Sequence, residues 1–314
     1  MAAVRAVAAE GRLVSRVPAV RMHADELDVD AGLVRRLVSA QFPEWASLPL
    51  APVLPAGTDH AIFRLGDAMS VRVPRIGWAT GQAEKEQEWL PRLAPQLPLA
   101  IPRVLAIGKP AEGYPHRWSI HTWLPGEPAA PDRIGDPRRA ATDLAGFVTV
   151  LRGIDTTGAP PAGRGTPLAR RDEPTRGEIA KLRGVIDTAA VTAAWEAALA
   201  APPWDGPPLW MHADLDSRNL LASEGRLSGL VDFGGLGVGD PACDVGPAWK
   251  MFSGEARDVF RTELGVDDAM WERARGHTLS QSLMALSYYT LENNAVLVLE
   301  AQRWLNEVLA ERRA

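Results

Sequence analysis

The stretch His212-Ala213-Asp214-Leu215-Asp216-Ser217-Arg218-Asn219, followed thirteen positions after Asn219 by Asp232-Phe233-Gly234, decides how this chain reads. Metal-dependent phosphoryl transfer needs one carboxylate to accept a hydroxyl proton. It also needs an amide and a second carboxylate to hold Mg²⁺ against nucleotide phosphates. Asp214, Asn219 and Asp232 are the right residue types for those tasks. Leu220-Leu221-Ala222 and Leu227-Ser228-Gly229-Leu230-Val231 flank the turn Ser223-Glu224-Gly225-Arg226, so a hairpin is expected between them. A tight hairpin returns the chain on itself and brings Asn219 and Asp232 to its open end, where one cation would bridge them. Singly, each of the three is ordinary loop punctuation; together with His212 and the literal Asp-Phe-Gly they make a specific pattern.

Just downstream, Gly239-Asp240-Pro241 reads as a helix start, with Asp240 as N-cap and Pro241 at the first helical position. Asp244 then falls in the first turn, where it either braces the catalytic loop or simply favours the helix dipole. His212 reads as a buried hydrogen-bonding residue that shapes the loop, and Cys243 as packing. From Pro241 onward the periodicity is helical to the C-terminus.

Upstream, Leu33, Val34, Leu37, Val38 and Phe42 follow Asp30, a candidate N-cap, at helical spacing. Val53 to Val73 then reads as short strands, with turns at Pro55-Ala56-Gly57 and Gly66-Asp67. Residues 82–90 look helical, with Pro91 expected to end or kink that helix. Glu86 lies in its apolar stripe with Ala83 and Leu90, and a carboxylate there needs a partner. Arg72 and Ser70 alternate out of phase with Met69, Val71 and Val73, so they share the other face of their strand, a candidate wall of a nucleotide cleft. An Arg72–Glu86 ion pair would hold a cation over phosphates; the plainer reading is a solvated Arg72, with Glu86 paired to Lys85 or Arg92. Gly57-Thr58 precedes the first strand of the hairpin, where its backbone N–H groups could cover phosphates.

Strands near Val104–Gly108 and Trp118–Trp123 lead into Leu124-Pro125-Gly126, which reads as a connection between lobes. A helix follows at 136–152, a Pro/Gly/Arg-rich loop at 156–176 and helices at about 175–200. The division expected is a flexible leader at 1–21, a β-rich nucleotide-binding lobe at 22–124 and a mainly helical catalytic and substrate-binding lobe at 125–314. The class is α+β.

Composition narrows the function. With 46% hydrophobic and 23% charged residues, the 314-residue chain has the make-up of a globular protein. A formal charge of −5 without a basic stripe argues against nucleic acid as partner. A lone cysteine excludes an intrachain disulfide framework and a cysteine-built zinc site, and fits a reducing cytoplasm. Arg5, Glu10, Arg12 and Arg16 interrupt the apolar runs of a signal peptide. No uninterrupted apolar stretch approaches the roughly 18 residues of a membrane span.

At Leu209 to Asp244, and more weakly at Gly57 to Leu93, the chain resembles the aminoglycoside phosphotransferase family of small-molecule kinases, which have a two-lobed protein-kinase-like fold. The resemblance in lobe order extends over roughly residues 25–310. It implies Asp214 as catalytic base, Asn219 and Asp232 as Mg²⁺ ligands, and Arg72 as the cation on the phosphates with Glu86 as its partner. The base of ATP or GTP would lie near His121-Thr122-Trp123. Arg72 stands where lysine is usual, Ala213 where glycine is common and Arg218 where a small residue is common. Ala213 is tolerable there if its backbone angles are ordinary.

The resemblance implies transfer of a γ-phosphate to a hydroxyl of a small natural product, an aminoglycoside or other antibiotic; a monomer and a homodimer both stay open. The alternatives are a kinase acting on a non-antibiotic metabolite and a catalytically idle nucleotide-binding module. A protein kinase is disfavoured, because no Ala-Pro-Glu follows Asp232-Phe233-Gly234 and the path to Asp240 is short. A polycationic acceptor would want an acidic pocket, whereas 156–176 carries Arg164, Arg170, Arg171 and Arg176 against Asp172 and Glu173. Trp249, Trp271 and Trp304 could line a pocket, but a core position is the commoner fate of such residues.

Overall fold

Asp30 accepts a hydrogen bond from the Leu33 N–H at 2.7 Å and starts α1 (Ala31–Gln41), which buries Val34, Leu37 and Val38. The computed structural model describes residues 21–55 and 57–311, so the expected leader lies, but for its last residue, outside the described residues. After α1 come β1 (Leu50–Pro52), β2 (His60–Leu65) and β3 (Met69–Pro74), with Gly66 at φ 58° in the turn between β2 and β3. Then follow α2 (Gln82–Leu93), β4 (Val104–Gly108) and β5 (Trp118–Thr122). The five strands form one antiparallel sheet in the order β1-β2-β3-β5-β4.

The period-2 alternation of β3 sorts the two sheet faces. Phe63, Leu65, Val71, Val73, Trp118 and Ile120 pack with the apolar stripe of α1 in one core. On the opposite face, Ser70 registers with His121 and Arg72 with Ser119.

Pro91 does not end α2. The chain stays helical to Leu93, and the Ala94 N–H reaches the Leu90 carbonyl at 2.9 Å. Burial of Trp89, Leu90 and Leu93 offsets the hydrogen bond that proline cannot donate. These three side chains join the larger core of the second half of the chain and not the sheet core, with the Trp89 and Trp210 rings 4.9 Å apart.

Beyond the connection lie β6 (Glu127–Pro128) and α3 (Pro137–Arg152), the latter capped by Asp136 with proline at its first position. The irregular stretch expected to 176 ends sooner: Leu168–Arg171 forms a 3₁₀ turn that runs into α4 (Asp172–Lys181), which buries Thr175 and Ile179. Next come α5 (Thr188–Ala200), β7 (Leu209–Met211), β8 (Leu220–Ser223), β9 (Arg226–Leu230) and β10 (Gly237–Gly239). β8 and β9 are the expected hairpin, with β6 on its edge, while β7 pairs with β10. The chain closes with α6 (Pro247–Lys250), α7 (Gly254–Glu263), α8 (Asp268–Tyr288) and α9 (Leu291–Glu311). Trp249, Trp271 and Trp304 are core residues, buried at 0%, 5% and 2% exposure. The architecture is two-lobed and protein-kinase-like, a sheet-rich first part and a mainly helical second. No helix among the described residues is long and apolar enough to cross a membrane.

Candidate active site

The loop from β7 to β8 is shaped by hydrogen bonds to a carboxylate thirty residues away. Asp244 accepts the N–H of His212 at Oδ2 and of Ala213 at Oδ1, both at 2.7 Å, and is itself buried. Of the two roles open to Asp244, the structure gives it the bracing one. The turn that carries it is pinned by Asp240, which accepts the Ala242 N–H at 3.0 Å and pairs with buried Arg273 at 2.9 Å. His212 is fully buried; its Nε2–H donates to the Val231 carbonyl at 3.1 Å, so Nδ1 accepts the Asp214 N–H at 3.2 Å. Its ring meets Phe233 edge-on at 4.7 Å.

Ala213 has φ 66°, so the condition of ordinary backbone angles is not met. A non-glycine residue in that region costs roughly 1–2 kcal/mol, and the Asp244 bonds hold it there.

Asn219 donates from Nδ2 to the Asp214 carbonyl at 2.8 Å and to its Oδ2 at 3.2 Å. That leaves the Asn219 amide oxygen as an acceptor, a hard donor of the kind Mg²⁺ takes. The open end of the hairpin is fastened by the Val231 N–H on the Asn219 carbonyl at 2.8 Å, and Asp232 follows directly, at φ 64°.

Arg72 is the hub of the cleft. Its Nη1 lies 3.5 Å from Glu86 Oε1, the pair anticipated from the sequence, and its Nη2 donates to Asp232 Oδ1 at the closer distance of 2.7 Å, which sequence reading did not foresee. Burial works against a charged Asp232, but the Arg72 guanidinium prevails and holds this carboxyl well below the ordinary range. Glu86 is pushed the other way, its pKa raised by burial in spite of Arg72. Its Oε2 lies 3.5 Å from His121 Nε2, which also meets Ser119 Oγ at 2.8 Å. His60, at the start of β2, is held neutral with a pKa of about 3 by burial and by Arg72. Lys85, beside Glu86 on α2, reaches across to the Gly234 and Leu236 carbonyls at 2.6 and 3.0 Å, tying α2 to the Asp-Phe-Gly turn.

The other residues expected on the nucleotide side lie in or beside the five-stranded sheet. Ser70 and His121 are buried cross-strand partners. Trp123 is half-buried beneath the Arg64 guanidinium, 4.1 Å from its ring centre. The Thr58 carbonyl accepts from His23 Nε2 at 3.0 Å. A side chain at Gly57 would meet the His60 carbonyl at 2.9 Å, so only glycine fits without a shift.

Two features on the other side of Asp214 went unread in the sequence. Arg164, from the irregular stretch after α3, forms a close ion pair with Asp214 Oδ1 and also contacts the Ala213 carbonyl at 3.5 Å. Arg218 folds back on Asp216, with Nε and Nη2 at 3.1 and 2.6 Å from its two oxygens. An aperiodic loop carries no signal for a contact fifty residues away; the Asp216–Arg218 pair, two residues apart, could have been considered.

The phosphotransferase enzyme family (APH) has a profile that matches residues 51–277, most of the chain, and the chain belongs to that family. No curated protein sequence matches it. Among solved structures it is similar to the GDP complex of aminoglycoside 2'-phosphotransferase-IIIa, at 18% identity and TM-score 0.70, over 89% of this chain and 98% of that one. It is also similar to the macrolide 2'-phosphotransferase of Brachybacterium faecium, at 20% identity and TM-score 0.57, again over 89% and 98%. A third is the streptomycin–ATP ternary complex of APH(2'')-IIa, at 18% identity and TM-score 0.56, over 86% and 94%. At these identities the likeness to the solved structures speaks to fold alone.

Proposed function

We propose that this member of the phosphotransferase family moves the γ-phosphate of ATP or GTP to a hydroxyl of a small natural product, with Asp214 as base. The observation that carries the reading is the joined arrangement of Asp214, Asn219 and Asp232. The first two are hydrogen-bonded within one loop braced by Asp244, and the third is held charged at the open end of the adjoining hairpin. In this reading the acceptor oxygen bonds to the γ-phosphorus while its proton goes to Asp214. The bond from that phosphorus to the β,γ-bridging oxygen breaks, and its electron pair leaves with the nucleoside diphosphate.

Asp232 and the Asn219 amide oxygen are a fitting donor set for Mg²⁺, which would neutralise charge on the phosphate oxygens. Arg72, supported by Glu86, would hold the α/β-phosphates, Gly57-Thr58 would cover them, and the base would lie along Ser70, His121 and Trp123. On this view residues 22–124 bind the nucleotide and 125–314 bind the acceptor, in a cytoplasmic monomer or homodimer. The fold neighbours named for aminoglycosides and macrolides make antibiotics one acceptor class to test, and metabolites the other.

An idle binding module has no need of a braced, hydrogen-bonded Asp214, which favours catalysis. The test is Asp214→Ala. Loss of a general base costs about 10²- to 10⁴-fold in rate, with folding retained. Near-normal turnover in that variant would sink the assignment.

A further inference from the structure

The acceptor side of Asp214 gathers cations, and two of them, Lys250 and Arg171, form no ion pair among the described residues. Arg164 already occupies Asp214 Oδ1. Of the other carboxylates nearby, Asp216 is engaged by Arg218, and Glu300 by Arg303 at 2.6 Å and the Trp304 indole at 3.2 Å, while Asp59, close enough to act on Arg164, forms no ion pair among the described residues. Lys250, at 2% exposure, donates to the Gln281 amide oxygen at 2.6 Å, and among the described residues it forms no ion pair. Arg171 Nη1 is buried without a hydrogen-bond partner, and so are both ring nitrogens of His277, a fully buried residue.

Lys250, Gln281, Cys243 and the Ala213 carbonyl form a chain of polar contacts that leads to Arg164. Gln281 Nε2 lies 3.9 Å from Cys243 Sγ, and Cys243 Sγ lies 4.0 Å from the Ala213 carbonyl that Arg164 also touches. α8 buries His277, Thr278, Gln281 and Ser282, where a core helix would show an apolar stripe, and Gln281 is the one that joins this chain. Burial depresses the pKa of both Lys250 and Arg171, and at Lys250 the charges of Asp216 and Asp214 oppose that shift without cancelling it. A buried cation without an ion-pair partner is costly unless a ligand supplies the counter-charge.

We infer that the phosphate acceptor is a hydroxylated anion, a carboxylate or phosphate ester, whose charge is received by Arg164 with Arg171 and Lys250 behind it. The inference rests on Asp214 being the base of the reaction proposed above. On binding, Arg164 exchanges Asp214 for the acceptor's anionic group, and Asp214 is freed to take the hydroxyl proton. Arg164 is thus a positioning and specificity residue, and it links release of the base to arrival of the right charge.

The test incubates the full chain with Mg²⁺ and ATP or GTP against three acceptor classes: sugar acids and sugar phosphates; neutral sugars and nucleosides; amino sugars and aminoglycosides. Product is read as one added phosphate by mass spectrometry. The expected result is product from the anionic class. In Arg164→Gln the KM for that acceptor should rise roughly 10- to 100-fold while the nucleotide KM is unchanged, and Arg164→Lys should recover part of the loss. If Arg164 merely braces Asp214, Arg164→Gln will lower kcat for every acceptor alike, and the inference fails. Absence of product from all anionic acceptors also overturns it, and product from amino sugars or aminoglycosides would then leave the phosphotransferase reading standing. If, in addition, nucleotide turnover does not depend on Asp214, that reading falls too.

Discussion

Replacing Asp244 isolates the contribution of the brace beneath the loop that carries Asp214. Its two oxygens each accept a backbone N–H at 2.7 Å, from His212 and Ala213. Hydrogen bonds to a charged group contribute about 1.5–3 kcal/mol each, so the pair is worth roughly 3–6 kcal/mol before the cost of burying the charge. That cost is real, since burial raises the pKa of Asp244 even though His212, both N–H bonds and Arg152 oppose the rise. The net loss in Asp244→Ala should therefore be about 2–4 kcal/mol, and in Asp244→Asn, which keeps one acceptor, about 1–2 kcal/mol. Release of Ala213 from φ 66° would move Asp214, and a displacement near 1 Å can cost roughly 100-fold in rate. Urea denaturation and kcat should thus fall in the order Asp, Asn, Ala. Equal behaviour of Asn and Ala, or a loss below about 0.5 kcal/mol with kcat intact, would refute the brace.

Two further outcomes follow from the buried charges. Burial chiefly, together with nearby cations, holds His277 neutral, with its pKa lowered from 6.5 to about 4. The unfolded chain therefore protonates first as pH falls below about 6.5, and stability declines by about 1.4 kcal/mol per unit down to the folded pKa. Urea titrations at pH 7.5 and 5 should show about 2 kcal/mol of this loss removed by His277→Gln; an unchanged pH dependence in the variant would count against it. Arg72 spans Glu86 and Asp232 with two different nitrogens, at 3.5 and 2.7 Å, which a single ammonium cannot do. Arg72→Lys should raise the nucleotide KM roughly tenfold with the acceptor KM unaffected, as steady-state kinetics would report; equal nucleotide KM values would argue against the fork.

Where local chemistry decides the outcome, the sequence was informative. The β8–β9 turn, the Asp30 and Asp240 caps and the phase of Arg72 against Val71 and Val73 all act over a few residues. β1, β6, β7 and β10 were missed because two or three residues are too few to show alternation. Pro91 does not stop α2 because its propensity is set against burial of Leu90 and Leu93, and burial prevails. The motif residues could be placed on one loop and hairpin, but the choice of Asp232 over Glu86 as the nearer partner of Arg72 depends on how two lobes meet. Arg164 was legible only as part of a basic stretch, since nothing local says which carboxylate an irregular loop will reach.

The allegiance of α2 has a mechanical consequence. Trp89, Leu90 and Leu93 root this helix in the larger core, and Lys85 fastens it to Gly234 and Leu236. The five-stranded sheet is organised around a separate core with α1. A rigid-body swing of that sheet would carry Arg72 away and leave Glu86 behind, so the separation of these two side chains serves as a ruler for how wide the cleft stands.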